Sequence, residues 1–281
     1  MRHVFDVRVG PIGFRIGSAW RAPVAAMEVL YADYPRLAEV PNYTVRLEPE
    51  RPWRRLIRPS VAIRGDHMLP DALPLPLRQG LLAAEMGMNL QIALGERRFL
   101  LLHAASVEKD GRGLILTGES GSGKSTLSAL LGANGWRFMG DEFVLLEPET
   151  GLMHPFPRPV SLKNASIDAL EAVLPDSRFG PRLIGTPKGD IRHVKPDPAA
   201  IAAMDRPVIP RLILFPRYGF ETAVRDILPG EVFVRLTQAS TNYTAMGERG
   251  FDALTRLVVS VPAKAIDYRD TATALAMVEA L

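Results

Sequence analysis

The chain has 281 residues, enough to bury a substantial core in one large α/β domain or two smaller ones. It carries 34 basic and 31 acidic side chains, and a formal net charge of +3 is too balanced to indicate a nucleic-acid partner. The absence of cysteine excludes disulfide bonds, thiolate catalysis and a cysteine-based zinc site.

The N-terminal residues lack the apolar core of a signal peptide, and no apolar run approaches the length of a membrane span. The sequence therefore predicts a cytoplasmic protein with no membrane partner and no nucleic-acid partner. One local cluster places four arginines around Trp53, at positions 51, 54, 55 and 58. Contact with phosphate backbones is one interpretation of this cluster, and a solvated loop or a protein contact is the favoured alternative.

Short predicted strands dominate the first part of the chain. Alternating apolar residues over 4–16 predict a β-hairpin or two sequential strands, and apolar density over 77–96 predicts a mostly buried helix. We therefore predict a β-rich N-terminal elaboration over residues 1–95, packed on a catalytic core over residues 96–281. The other elements expected in the first part are a helical or mixed segment over 23–31 and strands over 44–47 and 61–64.

The second part mixes predicted strands and helices without a clear repeat or linker. Residues 99–107 predict one strand, and residues 180–198, rich in Gly, Pro, Lys and Arg, predict a mobile substrate loop. The other elements expected are strands over 114–116, 136–139, 143–146 and 211–215, an extended connector over 155–159, and helices over 164–174, 244–260 and 271–281.

A phosphate-binding loop is the most specific motif in the sequence. The pattern G-x-x-x-x-G-K-[ST] is complete from Gly118 to Ser125, between an apolar strand and a segment with helix-forming character. Glycines allow backbone N–H groups to turn toward phosphate oxygens, and the helix N-terminus adds favourable partial charge. The motif predicts that ATP and Mg²⁺ bind here, with Lys124 at the β- and γ-phosphates and Ser125 as a Mg²⁺ ligand. The predicted phosphate-binding residues are Gly118, Glu119, Ser120, Gly121, Ser122, Gly123, Lys124, Ser125 and Thr126.

The surroundings of the loop narrow the class of protein. The chain has no NKxD-like guanine-specificity motif and no LSGGQ-like segment, which disfavours a GTPase and a transporter ATPase. The acidic pair Asp141 and Glu142 instead follows Lys124 by only 17 residues, between two predicted strands.

This arrangement resembles the catalytic core of the HPr kinase/phosphorylase family. His103 lies 21 residues before Lys124, the loop reads GESGSGKST, and Gly140-Asp141-Glu142 stands at the position of the family's Gly-Asp-Asp. The tracts at 156–164, 185–194 and 213–219 are similar to the HPr kinase-related kinases. The resemblance implies an α/β fold with a P-loop core of the HPr kinase and phosphoenolpyruvate carboxykinase type, and a homo-oligomer, since members of the family form hexamers.

Several features depart from the family. Glu142 replaces the second Asp, no Glu-Ile-Arg-Gly signature follows the acidic pair, and the N-terminal region does not resemble the family's regulatory domain. The resemblance therefore implies the core chemistry and leaves the phosphoryl acceptor open.

The resemblance also implies roles for individual residues. Asp141 would accept the proton of the attacking hydroxyl, Glu142 would be a Mg²⁺ ligand, and His103 would lie near the transferred phosphoryl group. Three basic side chains could offset phosphoryl charge or be ordinary solvated residues: Lys163, Lys188 and Arg192.

Together these observations predict an ATP-dependent kinase that transfers a phosphoryl group to a hydroxyl of a small protein, a peptide or a metabolite. Two alternatives stay open. One is a regulatory or assembly protein that binds a nucleotide without a transfer substrate, and the other is a carboxykinase-like metabolic enzyme.

Overall fold

The computed structural model describes residues 1–69 and 72–281 and shows a mixed α/β fold with several sheets. The strands in these residues are β1 (His3–Val9), β2 (Ile12–Ser18), β3 (Tyr43–Pro49), β4 (Ser60–Gly65), β5 (Leu75–Pro76), β6 (Leu100–Leu102), β7 (Ala105–Lys109), β8 (Arg112–Leu116), β9 (Arg137–Gly140), β10 (Val144–Leu146), β11 (Met153–His154), β12 (Val160–Lys163), β13 (Leu183–Thr186), β14 (Gly189–Val194), β15 (Ile209–Tyr218), β16 (Ala223–Asp226) and β17 (Ala263–Tyr268).

Helices connect the strands and cover the sheets. The α-helices are α1 (Arg21–Leu30), α2 (Gly80–Gly95), α3 (Lys124–Ala133), α4 (Ala165–Glu171), α5 (Pro198–Ala202), α6 (Pro229–Ala239), α7 (Tyr243–Ser260) and α8 (Thr271–Glu279). Short 3₁₀ turns lie at Pro52–Arg55, Leu77–Gln79 and Asp176–Arg178. Within the described residues, none of these helices combines the length and apolar character that crossing a bilayer requires.

The N-terminal sheet has the order β1-β2-β3-β4-β5. Its first two strands form an antiparallel hairpin, and the alternating residues Phe5, Val7 and Val9 are buried on one face. Strand β3 runs parallel to β2, and α1 makes the crossover between them. The predicted hairpin over 4–16, the strands over 44–47 and 61–64 and the helix over 77–96 are thus confirmed, with small shifts at their ends.

One hydrophobic core joins the N-terminal sheet to later parts of the chain. Besides residues from β1–β4, α1 and α2, it contains apolar side chains from the second half: Phe143, Leu145, Phe156, Leu183, Ile191 and Ile201. The boundary at residue 95 stays a prediction, because nothing in this shared core separates two units there.

The sheet that carries the phosphate-binding motif has the order β16-β17-β15-β8-β7-β9. Its central strands β17, β15 and β8 are parallel, and the outer strands are antiparallel to their neighbours. Parallel strands place their carboxyl ends at the same edge, which is where ligands bind in open α/β sheets. The segment after β8 therefore meets the ends of β15 and β17 at Tyr218 and Tyr268.

Two predictions about the second half were wrong. The strand expected over 99–107 is broken at His103-Ala104 into β6 and β7, which lie in different sheets, because the His103 N–H donates to Ala239 O on α6 instead of continuing a ladder. The mobile loop expected over 180–198 is largely the ordered hairpin β13–β14, paired with β12. Gly185 and Gly189, both with positive φ, flank the two-residue turn at Pro187-Lys188 that joins β13 to β14.

The remaining predicted elements of the second half form with adjusted ends. Helix α7 extends over the predicted 244–260 but is kinked at Gly247, where φ is 58°. The elements of the second half that were not predicted are β11, β12, α5, α6, β16 and β17. The short, strongly amphipathic α6 begins at Pro229, a usual first helical residue that sequence analysis passed over.

Candidate functional site

The loop between β8 and α3 is built by glycines with positive φ. Gly118, Gly121 and Gly123 have φ values of 146°, 84° and 97°, a region that side chains with a Cβ rarely enter. At Gly118 and Gly121 an added Cβ would meet nothing closer than 3.4 Å, so backbone conformation and not crowding selects glycine there. The chain then enters α3 directly, and the Leu127 N–H donates to Gly123 O at 2.8 Å.

The Lys124 side chain is folded into this loop. Its ammonium donates to Gly118 O at 2.7 Å and to Glu119 O at 2.8 Å, and the residue is buried. Burial lowers the pKa of Lys124. The negative charges of Asp141 and Glu142 oppose this shift, and the positive charge of Lys163 lowers the pKa further. The ammonium is therefore bound by two neutral carbonyl oxygens, although a lysine ammonium interacts more strongly with anionic oxygens.

Asp141 lies directly behind the loop, at the end of β9. Only 6% of the residue is exposed, and its Oδ1 accepts a hydrogen bond from the Ser125 hydroxyl at 3.1 Å. The other oxygen, Oδ2, is buried and has no hydrogen-bond partner among the described residues 1–69 and 72–281. Burial and the neighbouring Glu142 carboxylate raise the pKa of Asp141 to about 7, although the Ser125 hydroxyl acts in the opposite direction.

Glu142 and His103 form the outer part of the same group. Glu142 has φ of 73°, a left-handed conformation that is uncommon outside glycine. The His103 Nδ1 lies 3.1 Å from Glu142 O and 3.6 Å from Glu142 Oε2. The imidazole is half exposed and lines the cleft in front of the loop.

The cleft in front of the loop has a volume of about 850 Å³. One wall is the loop itself, and the other is formed by the end of β15 and by α6, including Arg217 and Arg235. Arg217 pairs with Asp267 at 2.6 Å, and Arg235 pairs with Glu231 on the same helix. These cleft residues were missed by sequence analysis, because α6 was not predicted and nothing local shows that β15 ends beside the loop.

A second, smaller cavity of about 170 Å³ lies on the other side of the loop. Thr126 lines it, and its hydroxyl donates to Ser166 Oγ at 2.8 Å. The rings of Tyr218 and Tyr268 form its far wall in an edge-to-face pair with centroids 6.0 Å apart. The loop thus has one open cleft and one narrow aromatic cavity beside it.

The structure brings most of the predicted site residues together. Lys124, Ser125, Asp141, Glu142 and His103 are connected by the contacts described above. Whether they act as predicted is not tested by this geometry.

Of the three further basic residues, only Lys163 lies close enough to Lys124 to influence its pKa. Arg192 is instead held by Glu171 and Asp176, each at 2.6 Å, and donates to Gly180 O. These two ion pairs favour the alternative of an ordinary structural residue, and a role of Arg192 at the phosphoryl group stays a prediction. Lys188 is exposed in the turn between β13 and β14.

The carboxylates at the loop are too few to form a complete Mg²⁺ site from protein ligands. Among the described residues, no three His, Asp or Glu side chains come together as a protein-only metal site. Mg²⁺, however, is usually held by one or two carboxylates together with substrate phosphates. The Ser125 hydroxyl and the Glu142 carboxylate are donors of this kind, and the unpartnered Asp141 carboxylate lies next to the Ser125 hydroxyl.

Comparisons with known proteins give little further information. No protein-family model matches the chain, and no curated protein matches it. Among solved structures, the chain is similar to the Hpr(Ser) kinase/phosphatase from Coxiella burnetii, with 14% sequence identity and a TM-score of 0.28 over 64% of this chain and 87% of that chain. A similarity at this level identifies neither a family nor an activity.

Proposed function

We propose that the chain is an ATP-dependent phosphotransferase with the P-loop core of the HPr kinase type. The observation that carries the proposal is the buried Asp141 carboxylate, which accepts a hydrogen bond from Ser125 and keeps its second oxygen free. An unpaired buried carboxylate is costly to folding. Buried ionisable groups that lower the stability of the fold in this way are typical of functional sites.

In the proposed mechanism the loop holds the triphosphate through its N–H groups and Lys124. Residues 118–126 would surround the phosphates, and the Lys124 ammonium would exchange its two loop carbonyls for phosphate oxygens. Ser125 and Glu142 would hold Mg²⁺, which would offset the negative charge that develops during transfer.

Asp141 would receive the proton from the acceptor hydroxyl. A base works best when its pKa lies near the operating pH, and burial raises the pKa of Asp141 to about 7. His103, at the mouth of the cleft, is placed to contact the acceptor or the phosphoryl group. The acceptor would be a hydroxyl on a small protein, a peptide or a metabolite, entering through the cleft of about 850 Å³.

The test is transfer of label from γ-labelled ATP in the presence of Mg²⁺ and a pool of metabolites and proteins. The wild type is compared with Asp141→Asn and with Asp168→Asn, a control that removes an exposed carboxylate on α4. We expect a labelled product with the wild type and the control, and its formation to be slower by roughly 10²–10⁴ with Asp141→Asn.

Three results would contradict the proposal in different ways. ATP binding without any labelled acceptor would favour the nucleotide-binding regulatory protein. A product phosphorylated on a carboxylate or an enol would favour the carboxykinase-like enzyme. If AMP raised the melting temperature as much as ATP with Mg²⁺ does, the loop would not be binding the β-phosphate.

A further inference from the structure

A basic and apolar projection extends from the N-terminal sheet between β3 and β4. It consists of residues 51–58, which form a 3₁₀ turn and the short segment after it. Three apolar side chains of this projection are exposed: Trp53 by 55%, Leu56 by 84% and Ile57 by 65%. Apolar side chains exposed together in one short segment indicate an interaction surface.

The projection has a defined shape. Within the turn, the N–H groups of Leu56 and Ile57 donate to Trp53 O at 3.1 and 2.9 Å. The Trp20 indole donates to Arg55 O at 3.0 Å and ties the turn to the body of the protein. Arg58 ends the turn with φ of 46°, a conformation in which a non-glycine residue is strained. The backbone therefore holds the apolar side chains outward, where they cannot fold back onto the core.

Positive charge surrounds these apolar side chains. The segment from residue 51 to residue 65 contains five arginines and no acidic residue. Within the described residues, none of these five takes part in an ion pair. Arg51 stacks over the Trp53 ring at 5.5 Å, and the Arg54 guanidinium donates to Arg58 O. The five arginines are at positions 51, 54, 55, 58 and 64.

We propose that this projection binds the surface of an anionic lipid bilayer. Arginines favour anionic headgroups, and the exposed side chains of Trp53, Leu56 and Ile57 insert into the boundary between headgroups and acyl chains. A nucleic acid would match the arginines but would leave Leu56 and Ile57 in water. An acidic peptide would need a groove, and the two cavities described above are lined by other parts of the chain. The contact is peripheral and departs from the sequence-based expectation of no membrane partner.

The experiment is co-sedimentation of the full chain with vesicles of phosphatidylcholine alone or of phosphatidylcholine mixed with the anionic lipid phosphatidylglycerol. We expect binding to the anionic vesicles that weakens with salt, together with a blue shift of tryptophan fluorescence that Trp53→Phe abolishes. Arg58→Gln should lower the partition coefficient about fivefold, since one arginine near an anionic surface contributes about 1 kcal/mol.

The apolar contribution is tested separately. Leu56→Ser combined with Ile57→Ser should lower binding by about tenfold or more, since binding scales with buried apolar area. The matched control is Val234→Ser combined with Val259→Ser, which changes two apolar residues on α6 and α7 that are also exposed by 55% and 76%. This control should bind as the wild type does.

Three results would overturn the proposal. They are equal binding to neutral and anionic vesicles, wild-type binding by the Leu56→Ser, Ile57→Ser variant, and tight arginine-dependent binding to poly-uridine or poly-glutamate without binding to vesicles. Melting curves of each variant verify folding. Failure of phosphoryl transfer would leave these outcomes unchanged, because no residue of the projection belongs to the proposed active site.

Discussion

Asp141 and Lys124 are charged groups that the fold buries without complete partners. Asp141 has one free carboxylate oxygen, and Lys124 is satisfied by two backbone carbonyls of the loop. The free energy of unfolding of most proteins is only about 5–15 kcal/mol, so a fold can contain few unfavourable buried groups of this kind. At the residue scale, a bound triphosphate and Mg²⁺ would supply the charged partners that the buried Lys124 ammonium and the site around Asp141 lack.

Lys124→Ala is expected to abolish productive use of ATP while the protein stays folded. The ammonium contacts loop carbonyls and not the apolar core, so its loss removes charge stabilisation of the phosphates more than packing. Calorimetric ATP affinity and turnover measure the effect. Unchanged values for both would contradict the assignment of the loop.

Asp141→Asn is expected to lower phosphoryl transfer by roughly 10²–10⁴ and to keep ATP affinity within a few fold. The amide has nearly the same shape but cannot take a proton, so the defect belongs in kcat. Glu142→Gln should instead raise the Mg²⁺ concentration that the reaction needs. If Asp141→Asn transferred phosphoryl groups at the wild-type rate, the base would lie elsewhere, and His103 would be the next residue to test.

At the scale of elements, the loop is shaped by where three strands end. The carboxyl ends of β8, β15 and β17 meet at one edge, so Tyr218 and Tyr268 stand beside a loop that is far from them in sequence. The two tyrosines constrain the loop at Gly123. An added Cβ there would lie 2.8 Å from the Tyr268 hydroxyl, and φ is already 97°.

Gly123→Ala is therefore expected to destabilise the protein by about 1–2 kcal/mol through backbone strain and to weaken ATP binding at least tenfold by displacing the start of α3. Gly135→Ala is the matched control. Its φ of 87° imposes a similar strain, but its Cβ would meet nothing within 4 Å and it lies after α3. Urea denaturation and calorimetry should show similar losses of stability in both variants, and weaker ATP binding in Gly123→Ala alone.

At the scale of the whole molecule, a buried polar cluster joins the N-terminal part to the second half. Arg158 contacts the Glu85 carboxylate and the Asn89 side chain on α2, and donates to the Tyr31 hydroxyl at 3.3 Å. Tyr34 donates to Pro157 O, so the extended segment after β11 is held against the hydrophobic core that joins the N-terminal sheet to the second half. Because this cluster and the core are shared, we expect the two halves to unfold in one transition.

Arg158→Met is expected to destabilise the protein by about 3–5 kcal/mol, since it leaves the Glu85 carboxylate buried without its cation. The double variant Arg158→Met, Glu85→Gln should recover most of this loss, because no buried charge then remains. Urea denaturation of the wild type, both single variants and the double variant gives the coupling energy. Additive losses would show that the two side chains do not form the pair seen in the structure.

His193 predicts a pH dependence of stability near the same cluster. Burial lowers the pKa of this imidazole below 6.5, with Arg158 acting in the same direction and Glu85 opposing it. The folded state then binds a proton less readily than the unfolded state, so stability falls as pH drops below about 6.5. His193→Gln should reduce the acid sensitivity in this window, measured as the difference in unfolding free energy between pH 7 and pH 5. An identical pH profile for both proteins would contradict the prediction.

The sequence by itself determined the features that depend on local pattern. The loop over 118–126 was predictable because its glycines, lysine and serine occur at fixed spacing. Strand β1 was predictable from the alternation of its buried residues, and α2 from its apolar density. The proximity of Asp141 and His103 to that loop was inferred from a family resemblance, and the structure brings these residues together.

The tertiary structure alone decided how distant segments meet. It broke the predicted strand over 99–107 at His103, because the His103 backbone N–H bonds to α6, and it turned the expected mobile loop over 180–198 into a hairpin because β14 pairs with β12. It also brought Tyr218, Tyr268 and Arg235 to the loop. Strand pairing and sheet order depend on contacts between residues far apart in sequence, and such contacts leave no pattern in any local window.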